Sequence, residues 1–170
     1  GIRDRDVTGV QTCALPIYQA LHFYSKAVKL DFNNADYWKA VARMDHRIGN
    51  IVSALTAYQE AANLDPTDRD AWLDWASIYN EQGAFKRAAE VLEDGLTELP
   101  DDPELHYRIA GNLMLDGQMR EGFNYLETAL SIDPEGYSVL LEYFPRTENQ
   151  RMILRVIEQF RNTGRGQAGN

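Results

Sequence analysis

Several things that would tie this chain to a particular chemistry are missing from it. Cys13 is the single cysteine in 170 residues, which excludes an internal disulfide framework and a zinc site built on paired cysteines. Packing has to hold the fold, and one thiol leaves the redox compartment open. Charged or polar side chains interrupt every hydrophobic stretch, so no run reaches the roughly 20 apolar residues of a membrane-spanning helix; membrane insertion of this segment is not expected. A basic surplus is lacking too. With 17 Lys and Arg against 26 Asp and Glu, the chain has no general cationic surface to displace counterions from phosphates, and nucleic acid is not an expected partner. There is no glycine-rich phosphate loop, no H-E-x-x-H pair and no G-x-S-x-G elbow. His22, His46 and His106 stand far apart in the sequence. No enzymatic activity, catalytic residue, metal or cofactor is therefore expected.

What is present reads as an ordinary globular chain: 44% apolar and 25% charged residues are enough for a real core. The charge is unevenly spread. Residues 67–134 carry 15 acidic and 5 basic side chains, net −10, whereas residues 18–66 hold five of each; the middle is acidic and the ends are not.

From Tyr18 onward the chain matches itself at an offset of 34 residues. Trp38 falls on Trp72 and His106; Ala42, Ala76 and Ala110 coincide, as do Gly49, Gly83 and Gly117. The register continues through Ala20, Ala54, Ala88 and Gly122, then Tyr24, Tyr58, Leu92 and Leu126, then Ala27, Ala61, Gly95 and Ala129, and closes on Pro66, Pro100 and Pro134. Apolar spacing at i, i+3, i+4 and i+7 predicts two helices per unit: 35–48 and 51–64, 69–82 and 85–99, 103–116 and 119–132. The recurrent glycine sits where the first helix stops, in the left-handed conformation that glycine adopts without penalty. The alanines let paired helices approach closely, large residues such as Trp38 and Tyr58 fill the gaps, and each closing proline ends a second helix. The segment before Tyr18 has neither the periodicity nor the spacing. Its run VTGVQTCALPI, residues 7–17, resembles an in-frame translation of a sequencing adapter, and residues 1–17 are expected to contribute nothing to the fold.

The 34-residue period, the Trp, the small-residue pair, the Gly, the aromatic, the Ala and the closing Pro together resemble the tetratricopeptide repeat (TPR). That resemblance implies an all-α fold, a right-handed superhelical solenoid of antiparallel helix pairs. It divides the chain into the second helix of a truncated repeat at 18–34 and full repeats at 35–68, 69–102 and 103–136. Gly95 and Gly122 in place of Ala, Phe32 in the earlier Pro position and His106 in place of Trp depart from the pattern, and are expected to loosen packing. After Pro134 the register fails, because Phe144 stands where a small residue belongs and Pro145 removes a backbone donor. Residues 137–162 are expected to form a degenerate helix and then a C-terminal capping helix, with Thr147 and Gln150 as a capping box and Met152, Ile153, Val156, Ile157 and Phe160 as its stripe. The polar, glycine-rich tail 163–170 reads as disordered.

In such a solenoid the first helices line a concave groove. Their candidate partner-binding residues are Lys39, Arg43, His46 and Arg47 in one repeat, Leu73, Ser77 and Asn80 in the next, and Tyr107, Gly111 and Met114 in the last. The groove is thus expected to grade from basic through polar to apolar. The resemblance implies a protein-interaction scaffold or adaptor that holds a protein or peptide segment with an acidic part and a hydrophobic part. The alternative is the substrate-recruiting region of a larger enzyme. Of the Lys, Asn and Arg set with which some members clamp a chaperone C-terminus, only Lys39 and Arg108 are matched, so that activity is not expected. The helix at 18–30 carries Leu21, Tyr24 and Val28 on one stripe beside Ala20 and Ala27; without a preceding partner helix it is expected to expose apolar surface, fray and self-associate.

Overall fold

The capping signals in the sequence produce nine helices among the residues that the computed structural model describes, 7–144 and 148–167. They are α1 (Val7–Leu30), α2 (Ala35–Ile48), α3 (Ile51–Leu64), α4 (Arg69–Glu81), α5 (Phe85–Glu98), α6 (Pro103–Leu115), α7 (Met119–Ile132), α8 (Ser138–Leu141) and α9 (Glu148–Gln167). No strand forms among the described residues, and no helix among them is long and apolar enough to cross a membrane.

Helix starts are fixed by side chains that take up the first free amides. Asn34 accepts from the Tyr37 amide at 3.2 Å, and Asp102 accepts from the Leu105 amide at 3.1 Å ahead of Pro103. Helix ends repeat one geometry three times. Gly49, Gly83 and Gly117 have φ of 87°, 71° and 89°, and the residue after each glycine donates back to the carbonyl five positions earlier, as in Asn50 to Asp45, Ala84 to Tyr79 and Gln118 to Leu113. This is the Schellman closure, which satisfies the last carbonyls of the first helix and turns the chain into the second. Helices α4, α5 and α6 end one residue before the periodicity predicts; Leu99 and Asp116 serve as caps instead.

Each repeat also carries an anchor that periodicity does not reveal. The Trp38 indole donates to the Phe32 carbonyl at 2.8 Å and the Trp72 indole to the Pro66 carbonyl at 2.9 Å. His106 keeps the link, its Nε2 lying 2.9 Å from the Pro100 carbonyl. A carbonyl can only accept, so Nε2 bears the hydrogen and Nδ1 is left buried without a partner. The departures at 32 and 106 therefore preserve the repeat's main polar tie.

By contacts the chain divides into two compact units, Gly1–Ile78 and Tyr79–Asn170. In the first, α1 packs on α2 and α2 on α3, around Val28, Val41, Ala42, Ala54, Ala57, Tyr58 and Ile78. In the second, α6 packs against α5, α7 and α8, and α9 rests on α7. Its core joins Tyr107, Ala110, Met114, Leu126 and Leu130 to Leu140, Phe144, Ile153 and Ile157.

Two expectations need correction here. The glycine at 122 does not loosen its helix pair: an added Cβ would stand 2.7 Å from Met114 Cγ and 3.0 Å from the Ala110 carbonyl oxygen, so α6 and α7 approach more closely than Ala allows. Phe144 stands where a small residue belongs in the repeat, yet it fills the core over which Ile153 and Ile157 close. Helical backbone also extends past both expected limits. α1 begins at Val7 with Pro16 inside it, and α9 continues to Gln167, where Thr163 donates to the Gln159 and Phe160 carbonyls. Residues 1–6 of the N-terminal segment, Pro145 and Thr147 of the expected break and capping box, and residues 168–170 of the tail lie outside the described residues.

Candidate functional site

The candidate residues of the first unit lie on α2 and α4. Lys39 reaches Asp68, just ahead of α4, in a close ion pair and stands 3.5 Å from Asp36. Burial pulls the Lys39 ammonium down, but the hydrogen bond and charge of Asp68, with help from Asp36, outweigh it and leave its pKa raised. One turn on, Arg43 bonds Asp74 through Nε and Nη2, both at 2.8 Å. Burial again opposes and Asp74 prevails, so the guanidinium pKa is raised. The Tyr58 hydroxyl lies 3.4 Å from the same Asp74 oxygen, and burial followed by the charge of Asp74 pushes its phenol upward.

These pairs differ in their access to water. The Lys39 and Asp68 side chains are 16% and 19% exposed, those of Arg43 and Asp74 47% and 36%; the first is a structural link between α2 and the start of α4, and the second can exchange partners. Arg47 is exposed and His46 half-buried on the same helix, Leu73 is half-buried, and exposed Ser77 donates to the Asp74 carbonyl at 2.7 Å. Trp75, stacked on Trp72 at 5.8 Å, buries an indole nitrogen that has no partner.

In the second unit the first-helix residues form a connected polar chain. Asn80 donates to Asn112 at 2.8 Å. Asn112, 1% exposed, donates in turn to the Arg108 carbonyl at 2.9 Å and the Tyr143 hydroxyl at 3.2 Å. Arg108 is paired with Glu104 at 3.0 Å and stands 4.0 Å from Glu142. Burial raises the Tyr143 phenol against the opposing pull of Arg108 and Asn112.

The apolar end of the expected groove is not a surface. Tyr107 is 1% exposed and donates to the Asp133 carbonyl at 2.6 Å. Met114 belongs to the core, and the Tyr143 ring lies so close to Gly111 that an added Cβ would be 2.8 Å from it. The reason is the number of neighbours: α6 is contacted by α5, α7 and α8, so the face that spacing alone leaves open is covered by the chain that follows. Tyr107, Gly111 and Met114 are therefore packing residues. Sequence reasoning also missed Asp68 and Asp74, which lie 29 and 31 residues beyond their basic partners; the available signal was that both fall on the next first helix or its cap. Among the described residues no three His, Cys, Asp or Glu side chains gather as a metal site.

Comparison with known proteins agrees with this architecture. The family model described as tetratricopeptide repeat matches residues 49–110. The TPR repeat-containing protein YpiA of Bacillus subtilis is 24% identical over 119 residues, which is 68% of this chain and 28% of that protein. The BBSome complex member BBS4 of Xenopus tropicalis is 29% identical over 127 residues, 69% of this chain and 24% of that protein. This chain thus spans about a quarter of the length of these relatives. Among solved structures, MamA from Desulfovibrio magneticus RS-1 superposes with a TM-score of 0.62 at 17% identity, covering 94% of each chain; at that identity the likeness concerns the fold. The tetratricopeptide match thus covers residues 49–110, and the helix pairs continue at the same 34-residue period on either side of it.

Proposed function

We propose that this chain is a protein-interaction scaffold that holds an acidic protein or peptide segment on its first-helix faces, the faces that line the groove of a tetratricopeptide array. The observation that carries this reading is the exposed Arg43–Asp74 pair beside exposed Arg47. A carboxylate on a partner can take the place of Asp74 on Arg43 and find Arg47 one turn away, at little cost because the resident pair is already wet. Ser77 and Leu73 are the further candidates for contact within the first unit. The hydrophobic part expected of the partner has no site at Tyr107, Gly111 or Met114 and falls away from the proposal. Lys39 is reassigned to holding α2 against the start of α4.

Selection of a peptide library on the full chain tests this. Enriched peptides are expected to carry two or more carboxylates. Reversal of Arg43 and Arg47 to Glu should weaken an enriched peptide by about 1 kcal/mol per lost pair, less at high salt, while Lys86→Glu with Arg87→Glu on α5 leaves it unmoved. Enrichment of uncharged peptides, or equal binding to both double variants, contradicts the proposal.

A further inference from the structure

Two aspartates of the first unit show how differently a carboxylate can be held. Buried Asp45 uses both oxygens, Oδ1 accepting from Asn50 Nδ2 at 3.0 Å and Oδ2 from the Ser53 hydroxyl at 2.5 Å. Asp74 uses one. Nε and Nη2 of Arg43 both lie 2.8 Å from its Oδ2, and the Tyr58 hydroxyl is 3.4 Å from the same atom. Its Oδ1 has no partner among the described residues, and the side chain is partly open to water.

An arginine fork meets a carboxylate best side-on, with one oxygen on each of two nitrogens. Asp74 reaches Arg43 from α4 on a single methylene, and the contact it makes is end-on. A carboxylate arriving from solvent carries no such tether and can take the fork side-on while Asp74 turns to water. Arg47, one turn further along α2, is exposed and has no acidic partner among the described residues. The two arginines are therefore unequal: an acidic segment adds a pair at Arg47 but only exchanges one at Arg43.

We infer, on the reading that acidic segments bind this face, that Asp74 is a resident competitor, which keeps Arg43 from every ligand except one whose first carboxylate is already anchored on Arg47. The first carboxylate goes to Arg47, where nothing has to be displaced. A second, held within reach of Arg43 by the first, then competes with Asp74 intramolecularly. Asp74 thus sets the affinity for a two-carboxylate segment below what two free arginines would give. A carboxylate that served only to orient Arg43 for a partner would act with the opposite sign.

The probes are a capped synthetic peptide with two glutamates four positions apart, matching the spacing of Arg43 and Arg47, and the same peptide with one glutamate changed to Gln. Asp74→Ala in the full chain should tighten the two-glutamate peptide about fivefold, the scale of one exposed ion pair, and the one-glutamate peptide less than about twofold. Asp74→Asn, which keeps the shape and loses the charge, should act in the same direction. In an Arg43→Gln background Asp74→Ala should change neither affinity. Circular dichroism should show the same helix content throughout, which keeps binding distinct from folding. Phenylglyoxal, which modifies free guanidinium groups, supplies a readout that needs no partner: Arg43 should react more slowly than Arg47 in the unaltered chain and as fast in Asp74→Ala. Equal reactivity of the two in the unaltered chain overturns the inference. So does a two-glutamate peptide that binds the unaltered chain and is weakened by Asp74→Ala, a result that leaves the acidic-segment reading standing and makes Asp74 a positioning residue. Release of Arg43 to phenylglyoxal with no binding of either peptide to any variant overturns the acidic-segment reading and the competitor role together.

Discussion

At position 106 the repeat substitutes a residue without giving up the bond that position makes. His106 bonds the Pro100 carbonyl as Trp38 and Trp72 bond Phe32 and Pro66, but leaves Nδ1 buried and unsatisfied. His106→Trp removes that orphan while retaining the N–H donor, and should raise the unfolding free energy by about 1 kcal/mol; His106→Ala should lower it by about 2 kcal/mol. Urea unfolding of the three proteins measures both. The tyrosines make a second residue-scale prediction. Burial first, then the hydrogen bond to Glu93 and its charge, push Tyr125 up to about 12 from 10.0. The fold prefers the neutral phenol, so Tyr125 contributes its stability in full below pH 10 and loses it as pH rises toward 12. The urea midpoint should fall across that interval, and fall less steeply in Tyr125→Phe.

At the scale of helices, closeness is decided by glycine where the repeat pattern asks for alanine. Placing Ala in an ordinary helix in place of Gly stabilises by up to about 1 kcal/mol. At Gly111 and Gly122 the sign should reverse, because the Tyr143 ring and Met114 occupy the space of the methyl group, and overpacking should cost about 1–3 kcal/mol. Denaturant unfolding of Gly111→Ala and Gly122→Ala checks this. For α1, the contacts with the core of the first unit come from Leu21 and Val28, beyond the segment that lacks the repeat register. Deleting residues 1–17 should leave the thermal midpoint unchanged; a clear loss would show that the first eleven positions of α1 hold it in place. Element positions were largely legible in the sequence, since Gly49, Gly83 and Gly117 mark C-caps by a backbone demand that few other residues meet. The continuation of α1 before Tyr18 and of α9 to Gln167 was not, because apolar spacing reports a packed face, and helical backbone does not require one.

For the molecule as a whole, the sequence conveyed the repeats and placed the basic residues on one helix, but not which of them are engaged. Lys39, Arg43 and Arg47 look equivalent at four-residue spacing. They separate only when Asp68 and Asp74 are brought against the first two from about thirty residues away. The same limit turned Tyr107, Gly111 and Met114 from an expected apolar groove into core, for a spacing rule cannot count the neighbours that a helix will acquire. The proposed function is a scaffold with an exchangeable arginine face on α2, where Asp74 of α4 is the resident partner of Arg43. Hydrogen exchange on the full chain, with and without a saturating acidic peptide from the library selection, is the direct test. Slowed exchange confined to α2 and α4, and abolished by Arg43→Glu with Arg47→Glu, is the predicted result. Protection that instead falls on α3, α5 or α7, and survives those reversals, would contradict the assignment of the binding face.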